Sequence, residues 1–253
     1  STDDTLAVLT QAYGRNSRVK ILTQSNQGKW KALNTAYAQV ETEIAVCIDA
    51  DTQIAPDAIR HLVAPFANPK IGAVAGTILV GNKHNLLTRL QALEYFVTQN
   101  IARRAQEHIN GIIVVPGALG AWRVEAVRDL GLLSNETLTE DTDLTMWMLR
   151  GGYHVAYAED ATGYTEAPRD IRSLLKQRLR WNVGILQSLW KHRSTFTETR
   201  SARLFSVLDL GIFGFALPLL APFVDLMVLF MLANYVMAHV SGAVPDFSGV
   251  TYT

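Results

Sequence analysis

Up to about Ala167 the chain alternates short apolar runs with segments of helical periodicity. Of all the features of the sequence, this alternation restricts the possible folds most. In "GKWKALNTAYAQV" apolar residues recur at helical spacing: Trp30, Leu33, Tyr37 and Val40. A second helical segment, "PDAIRHLVAPF", follows the next apolar run. Four apolar runs are predicted to be buried strands: "RVKILTQ", "EIAVCIDA", "IGAVAGTILV" and "GIIVVPG". Alternating strands and helices are typical of an α/β layer protein, although the pattern leaves the strand order open.

Length and charge exclude several classes of protein. The 253 residues are enough for one large domain with an appendage. The 23 basic and 23 acidic residues balance, so no overall positive field recruits nucleic acid. The single cysteine, Cys47, excludes an internal disulfide and agrees with a reducing compartment. The chain opens on Ser1 without a signal peptide or an initiator methionine and ends in loop-like "PDFSGVTYT", so we expect a fragment of a longer protein.

The sequence pattern changes near Asp170, where an amphipathic segment, residues 170–191, begins. Its apolar positions are Ile171, Leu174, Leu175, Val183 and Leu186. Its basic positions are Arg172, Lys176, Arg178 and Lys191. This combination suits a helix lying on a membrane surface, and an ordinary domain helix is the alternative.

Residues 204–240 form a strongly apolar run that exceeds the ~20 residues a helix needs to cross a bilayer core. Asp209 and Asp225 interrupt it, and an acid at mid-membrane costs roughly 2.5–3.5 kcal/mol. We predict an interfacial helix to about residue 216 and one spanning helix within residues 219–240. A single tilted span, a helical hairpin and a buried soluble helix are the alternatives. Four basic residues precede the run and predict a cytoplasmic soluble domain by the positive-inside rule: Lys191, Arg193, Arg200 and Arg203.

Two acids, Asp49 and Asp51, follow directly after the apolar run "IAVCI". Ligands of open α/β sheets bind at the carboxyl ends of the strands. Two carboxylates spaced i, i+2 at such an end can share one hard cation, and Mg²⁺ or Mn²⁺ commonly bridges to a diphosphate. Such pairs are also common in solvated turns, but the position after a strand favours metal binding.

A second acidic cluster lies in "LTEDTDLTMWMLRGGY". Glu140, Asp141 and Asp143 can all complement the dipole of a helix whose N-cap is Thr139. One of these carboxylates can instead point into a cleft as a general base. The sequence leaves both interpretations open.

Two glycine-containing segments are candidates for ligand contact. Gly28 and Lys29 precede a predicted helix, where free backbone N–H groups and a cation suit a phosphate, although the segment is not a P-loop. In "VVPGALGAW" small residues follow a predicted strand: Gly117, Ala118, Gly120 and Ala121. Small residues there allow a ligand to approach closely, or serve a tight turn.

Gln177, Arg180 and Trp181 stand at i, i+3 and i+4 in "LLKQRLRWNVGILQSLWKHR" and therefore share one helix face. An amide, a planar cation and an indole suit a ligand that is polar, flat-faced and negatively charged. A membrane-surface helix with an interfacial tryptophan is the alternative.

The order of these motifs resembles that of the processive family 2 glycosyltransferases, the membrane synthases of cellulose, hyaluronan, chitin and poly-N-acetylglucosamine. The resemblance rests on "GKWKALN", "CIDADTQIAPDAI", "IGAVAGT", "LTEDTDLT" and "LLKQRLRW" and is strongest to the bacterial poly-β-1,6-N-acetylglucosamine synthases. It implies an α/β GT-A fold with a Rossmann-like mixed sheet, followed by interfacial and transmembrane helices. The implied regions are a transferase domain lacking its first strand (1–169), an interfacial region (170–203) and a membrane region (204–253).

The resemblance also implies a role for each motif. Asp49 and Asp51 would bind Mg²⁺ or Mn²⁺ and the diphosphate of a UDP-sugar, and Asp141 would be the catalytic base. The implied donor-binding residues are Gly28, Lys29, Gln177 and Arg180. The implied acceptor-binding residues are Gly117, Glu140 and Trp181.

The implied activity is transfer of a sugar, N-acetylglucosamine in the most similar synthases, from a UDP-sugar to a growing β-linked polysaccharide. The implied partners are the donor, the polysaccharide and the lipid bilayer, at the inner (plasma) membrane with a cytoplasmic catalytic domain. The sequence does not show whether accessory membrane subunits are needed. The alternatives are transfer of one sugar to a lipid, a membrane-anchored nucleotidyltransferase, and an inactive sugar-nucleotide sensor.

Overall fold

The computed structural model describes residues 3–194 and 217–240 of the chain. The chain divides into two compact units, Ser1–Ser206 and Val207–Thr253. The α-helices of the first unit are α1 (Thr5–Tyr13), α2 (Lys29–Tyr37), α3 (Ala58–Val63), α4 (Leu86–Phe96), α5 (Ala102–His108), α6 (Val124–Asp129), α7 (Glu140–Arg150) and α8 (Ile171–Lys191). Its strands are β1 (Ile44–Ile48), β2 (Gln53–Ile54), β3 (Ile71–Val80), β4 (Leu119–Arg123) and β5 (His154–Thr165). A 3₁₀ turn (Ala64–Ala67) follows α3, and a π-helical turn (Val97–Ile101) joins α4 to α5.

The five strands form one mixed sheet in the order β1-β4-β3-β5-β2. Strand β3 pairs with β5 in parallel, whereas β4 runs antiparallel to both β1 and β3. Helices pack on the sheet, and the core lies between them, around Val74, Leu119 and Leu62, which are all fully buried. The sheet confirms the predicted mixed α/β class.

The predicted helices in the first part of the chain are confirmed. Helix α2 spans Lys29–Tyr37 and turns Tyr37 inward, while Trp30 and Leu33 are partly buried, as their helical spacing predicts. Val40, the last residue of the predicted pattern, lies beyond the end of the helix and is partly buried. Helix α3 and the 3₁₀ turn cover "AIRHLVAPFA", with Leu62 fully buried.

The strand predicted in "RVKILTQ" is wrong. Residues 18–24 have no regular secondary structure, and nearly all of their side chains are exposed. A strand is stable only when its backbone groups pair with a neighbouring strand, and among the described residues no strand pairs with this segment. Apolar composition alone is therefore not enough to predict a strand here.

The strand predicted in "GIIVVPG" is also wrong, although the segment is buried. Ile112, Ile113 and Val115 lie in the interior, but the Val115 N–H donates to Thr145 Oγ1 (3.0 Å) instead of to a strand. The strand of this region is β4, which begins only two residues after Gly117. A short apolar run fits a buried strand and a buried irregular segment equally well, so periodicity could not separate them.

Helix α8 confirms the predicted amphipathic helix. Asp170 is its N-cap and accepts the Ser173 N–H at 2.9 Å. One face packs against the domain, where Gly184 and Ser188 are buried, while apolar side chains such as Leu175 stay exposed.

The second unit contains one described helix, α9 (Leu217–Val240). Its described apolar side chains, from Phe223 to Met237, are exposed within the chain. Over residues 3–194 and 217–240, no helix combines the length and the apolarity needed to cross a membrane. The predicted interfacial helix that ends near residue 216 lies outside the described residues.

Candidate active site

A cavity at one edge of the sheet gathers most of the acidic and basic residues that the sequence singles out. It lies between the end of β1, the turn before β4 and the N-terminal ends of α2 and α7. Its polar lining consists of Lys29, Asp49, Gly117, Glu140 and Asp141. Its apolar lining includes Leu33, Tyr37, Val46, Cys47, Trp122 and Leu144.

The pairing of β1 with β4 explains why two distant motifs meet here. Ile48, the last residue of β1, is the register partner of Leu119, the first residue of β4. The antiparallel ladder therefore places the turn before β4 beside the acids after β1. The Asp49 N–H points to the Ala118 carbonyl at 3.4 Å, so Gly117 lies next to Asp49.

Lys29 supplies the positive charge of the cavity. Helix α2 begins after Gly28, whose φ of 95° is in the left-handed region that favours glycine. Lys29 Nζ lies 2.6 Å from Asp49 Oδ1 and 3.3 Å from Glu140 Oε1. Burial opposes the lysine charge, but the hydrogen bond to Asp49 and the charges of Asp49, Glu140 and Asp141 outweigh burial and raise the pKa of Lys29.

The Asp141 carboxylate is oriented by backbone donors. The Gly117 N–H donates to Oδ2 at 3.1 Å, and the Thr142 N–H donates to Oδ1 at 2.8 Å. A Cβ at position 117 would lie 2.7 Å from Lys29 Nζ and 3.5 Å from Asp141 Oδ2. Position 117 therefore requires glycine if Lys29 and Asp141 are to keep these places.

The three acids at the start of α7 have different surroundings, which bears on whether they complement the helix dipole or face a cleft. Thr139 is the N-cap residue, but its side chain makes no capping hydrogen bond and its Oγ1 is buried without a partner among the described residues. Glu140 and Asp141 line the cavity, whereas Asp143 points into the interior and is bonded by Ser134, Lys191 and His192.

Five predicted site residues lie outside the cavity lining: Gly28, Asp51, Gln177, Arg180 and Trp181. The Trp181 ring packs against the core, 6.4 Å from the Tyr95 ring. Burial raises the pKa of Tyr95 to about 12, and the nearby charges have smaller effects. Arg180 Nη1 lies 3.5 Å from the Leu138 carbonyl, in the segment leading into α7.

Sequence reasoning missed Tyr95, the buried aromatic residue that packs beside Trp181. A signal for it was available, because Thr88, Gln91 and Tyr95 stand at i, i+3 and i+7 and form the buried face of α4. The partners of Asp143 had no comparable signal, because Lys191 and His192 lie almost fifty residues further along the chain.

The residues present fit a hard divalent cation that is shared with a phosphate. Among the described residues, no group of three or more histidines, cysteines and acids is arranged around a common point. Mg²⁺ typically takes one or two carboxylates and completes its shell with water and substrate phosphates. Asp49 and the exposed Asp51 supply such carboxylates.

Comparison with known proteins agrees with this geometry. Residues 44–241 match the family model described as glycosyl transferase family group 2. The chain is 30% identical over 196 residues to the poly-beta-1,6-N-acetyl-D-glucosamine synthase of Staphylococcus epidermidis, covering 75% of the chain and 47% of that protein. It is 29% identical over 185 residues to the synthase of the same name from Staphylococcus aureus strain COL, covering 73% of the chain and 45% of that protein. The chain therefore spans about half the length of these relatives.

Solved structures support the fold. A mannosyltransferase from Pyrobaculum calidifontis, in complex with GDP-Man and Mn²⁺, matches with a TM-score of 0.64 at 19% identity, over 98% of this chain and 76% of that one. TarS 1–349 of S. aureus, in complex with UDP-GlcNAc, matches with a TM-score of 0.51 at 14% identity, over 81% of this chain and 58% of that one. These neighbours confirm the predicted GT-A fold. With a family model matched over most of its length and synthases of that family among its relatives, the chain belongs to glycosyl transferase family group 2.

Proposed function

We propose that the chain is the catalytic part of a membrane-bound inverting glycosyltransferase that moves N-acetylglucosamine from a UDP-sugar to a growing β-linked polysaccharide. The observation that carries this proposal is the cavity in which Asp49, Lys29, Glu140 and Asp141 meet. The relatives named as poly-beta-1,6-N-acetyl-D-glucosamine synthases support the choice of sugar and product.

Asp141 is the proposed base. Attack of a sugar hydroxyl on the anomeric carbon requires a group that accepts the hydroxyl proton as the new bond forms. The two backbone N–H groups that bond Asp141 hold its carboxylate in one orientation at the cavity wall. In-line displacement inverts the anomeric centre, so an α-linked UDP donor gives a β-linked product.

The diphosphate leaving group is the proposed ligand of the basic residues. Lys29 lies at the cavity, and its ammonium can exchange the hydrogen bond that it donates to Asp49 for one to a phosphate oxygen. Gln177 and Arg180 lie on α8, where an amide N–H and a guanidinium would donate hydrogen bonds to the phosphate oxygens. Asp49 and Asp51 would hold Mg²⁺ or Mn²⁺, which when bound neutralises negative charge on the leaving diphosphate.

Trp181 is the proposed acceptor platform. Its indole is half-buried between the core and Arg178, whose guanidinium lies 4.9 Å from the ring centroid. An indole face packs against the C–H face of a sugar and excludes water. Trp181 would therefore align the acceptor end of the chain, while Gly117 and Glu140 line the approach to Asp141.

Exposed apolar side chains support the proposed contact with a bilayer. On α8 they follow one stripe that includes Ile171, Leu175, Leu179, Leu186 and Trp190. On α4 and the π-helical turn a second stripe includes Leu86, Leu90, Leu93, Val97 and Ile101. The two helices adjoin, because Arg178 Nη2 lies 2.7 Å from Glu94 Oε2. Exposed basic residues flank both stripes and suit anionic headgroups: Lys83, Arg89, Arg172 and Lys176.

This surface would lie on the cytoplasmic face of the plasma membrane, as the basic residues before the apolar run predict. The spanning helix predicted within residues 219–240 stays a prediction.

The test is to incubate the full-length protein in membranes with a panel of UDP-sugars and GDP-mannose, with Mg²⁺, Mn²⁺ or EDTA. We expect metal-dependent release of UDP and a β-linked N-acetylglucosamine polymer. Radiolabel confined to a single lipid-linked sugar would indicate a non-processive transferase, and pyrophosphate release would indicate a nucleotidyltransferase. The absence of nucleotide release from every donor would indicate a sensor and refute the proposal.

A further inference from the structure

The helix face that carries Arg180 continues along α8 as a row of contacts to the segment leading into α7. Positions 180, 184, 187 and 191 stand at i, i+4, i+7 and i+11 and therefore lie on one face. Gln187 Oε1 accepts the Leu138 N–H at 2.9 Å, and Arg180 Nη1 lies 3.5 Å from the carbonyl of the same leucine. Both backbone groups of Leu138, two residues before Glu140, thus face α8.

Gly184 brings α8 against the N-cap of α7. A Cβ at this position would lie 2.6 Å from Thr139 Oγ1 and 2.8 Å from the Thr139 backbone nitrogen. These distances leave no space for a side chain, so any other residue would push α8 away from the start of α7.

One helical turn beyond Gln187, α8 bonds the buried Asp143. Lys191 Nζ lies 2.9 Å from Asp143 Oδ2, and His192 Nε2 lies 2.8 Å from Oδ1. Ser134 Oγ donates to Oδ2 at 2.9 Å, and Lys191 Nζ also donates to Ser134 Oγ at 2.8 Å. His192 is fully buried, with its ring edge-on to Trp147 at 4.9 Å between centroids.

This cluster is not arranged for chemistry of its own. Ser134 donates to the carboxylate and not to the imidazole, which is the wrong order for an activated serine. Both oxygens of Asp143 are bonded by protein groups, and the Asp143 side chain is only 3% exposed. The cluster therefore joins two helices and does not bind a substrate.

We propose that Gly184, Gln187, Lys191, His192 and Asp143 form a positioning clamp between α8 and α7. The clamp holds the segment from Ser134 to Asp143, and with it Asp141, at a set distance from Gln177, Arg180 and Trp181. The inference rests on the proposed function, because it assumes that Asp141 and the α8 residues act on the same substrate. Lys191 lies ten residues beyond Trp181, about 15 Å along the helix axis, so it acts through the helix and not by contact with the sugar.

The decisive variants change Lys191 in the full-length enzyme. Lys191→Met keeps the apolar stem and removes the ammonium that bridges Asp143, Ser134 and Glu136. Because a shift of about 1 Å in catalytic geometry can cost up to about a hundredfold in rate, we expect kcat to fall at least tenfold while KM for the donor stays within threefold. Lys191→Arg keeps a cation and should recover at least half of the lost kcat. Gln187→Ala, which removes an exposed side chain and keeps the fold, should lower kcat in the same way.

The matched control is Arg123→Met. Arg123 is a largely buried cation whose nitrogens bond the Ile71 and Phe66 carbonyls at the opposite end of β1 from Asp49. Its loss should destabilise the fold and leave kcat per folded molecule unchanged. If Arg123→Met lowers kcat as much as Lys191→Met, or if Lys191→Met and Gln187→Ala stay within twofold of the wild type, the clamp is refuted.

Hydrogen exchange separates failure of the clamp from failure of the proposed function. In Lys191→Met we expect the amides of residues 134–141, including that of Leu138, to exchange at least tenfold faster, while the amides of β3 keep their rates. This measurement needs no substrate, so it holds even if the donor has been assigned wrongly. Unchanged exchange in residues 134–141 would overturn the proposal.

Discussion

Asp141 and Asp143 stand two residues apart on α7, yet the fold gives them opposite surroundings. Asp141 lines an open cavity and is bonded by two backbone N–H groups, whereas Asp143 is buried and bonded by three side chains. The first arrangement leaves the carboxylate accessible to a substrate hydroxyl. The second uses the same chemical group to join two helices. Accessibility, and not residue type, therefore distinguishes the proposed base from a structural acid.

The largest expected effect is the loss of transfer in Asp141→Asn. An amide cannot accept the acceptor proton, and general-base catalysis typically contributes about 10²–10⁴-fold to the rate. We expect polymer synthesis by the full-length enzyme to fall by that factor, while UDP and metal binding measured by calorimetry survive. Asp57→Asn, at the exposed N-cap residue of α3, is the control and should keep full activity. Polymer made at a normal rate by Asp141→Asn would show that Asp141 is not the base.

For stability we expect the larger effect from the buried acid, Asp143, and the smaller one from Asp141. Asp143→Ala removes the carboxylate that the fully buried His192 and Lys191 share, and breaking a buried pair costs about 3–5 kcal/mol in the free energy of unfolding. Asp141→Asn should change that free energy by less than about 1 kcal/mol, because it keeps the size of a partly exposed side chain. Urea denaturation followed by circular dichroism compares the two. Equal losses would remove the distinction between the open and the buried acid.

Gly117→Ala tests the close packing of the cavity. The added methyl group would displace Lys29 Nζ, which lies 2.7 Å from the position of that Cβ. We expect donor affinity to fall about tenfold, which corresponds to about 1.4 kcal/mol. Gly81→Ala is the matched control, since the nearest atom to its Cβ would lie at an ordinary 3.5 Å. Unchanged donor affinity in Gly117→Ala would mean that Lys29 does not contact the donor.

A smaller effect is expected of pH on the free energy of unfolding. Burial opposes ionisation of Asp143, but the hydrogen bonds from His192, Lys191 and Ser134 outweigh it and hold the pKa of this carboxyl below its usual value. The resulting stabilisation is present above the unfolded pKa of about 3.9 and is lost as the pH falls through the lower pKa of the folded state. The wild type should therefore lose more unfolding free energy on acidification than Asp143→Asn does. Parallel pH profiles for the two proteins would contradict this assignment.

The smallest effect on turnover is expected at the acceptor. Trp181→Ala removes the indole that would stack on the sugar, so we expect shorter polymer chains with little change in KM for the donor. Trp181→Phe keeps an aromatic face and should keep most of the chain length. Sizing the polymer by chromatography measures both, and an unchanged length in Trp181→Ala would refute the platform.

The sequence predicted the parts of the site that depend on local pattern. Helical spacing placed Trp30, Tyr37 and the residues of α8 correctly, and the apolar run before Asp49 is the strand β1. The same reasoning failed for residues 18–24 and 111–117, because an apolar run shows that a segment can be buried but not whether a partner strand lies beside it.

The sequence by itself determined the α/β class, the helix boundaries near Lys29 and Asp170, and the order of the acidic and aromatic motifs, because these follow from periodicity and capping between near neighbours. Only the tertiary structure decided that Gly117 lies against Lys29, that Asp141 faces a cavity and that Asp143 is buried beneath α8. The physical reason is that these contacts join residues tens of positions apart. Strand pairing and helix packing bring such residues together, and no local pattern records which of two neighbouring carboxylates will be covered.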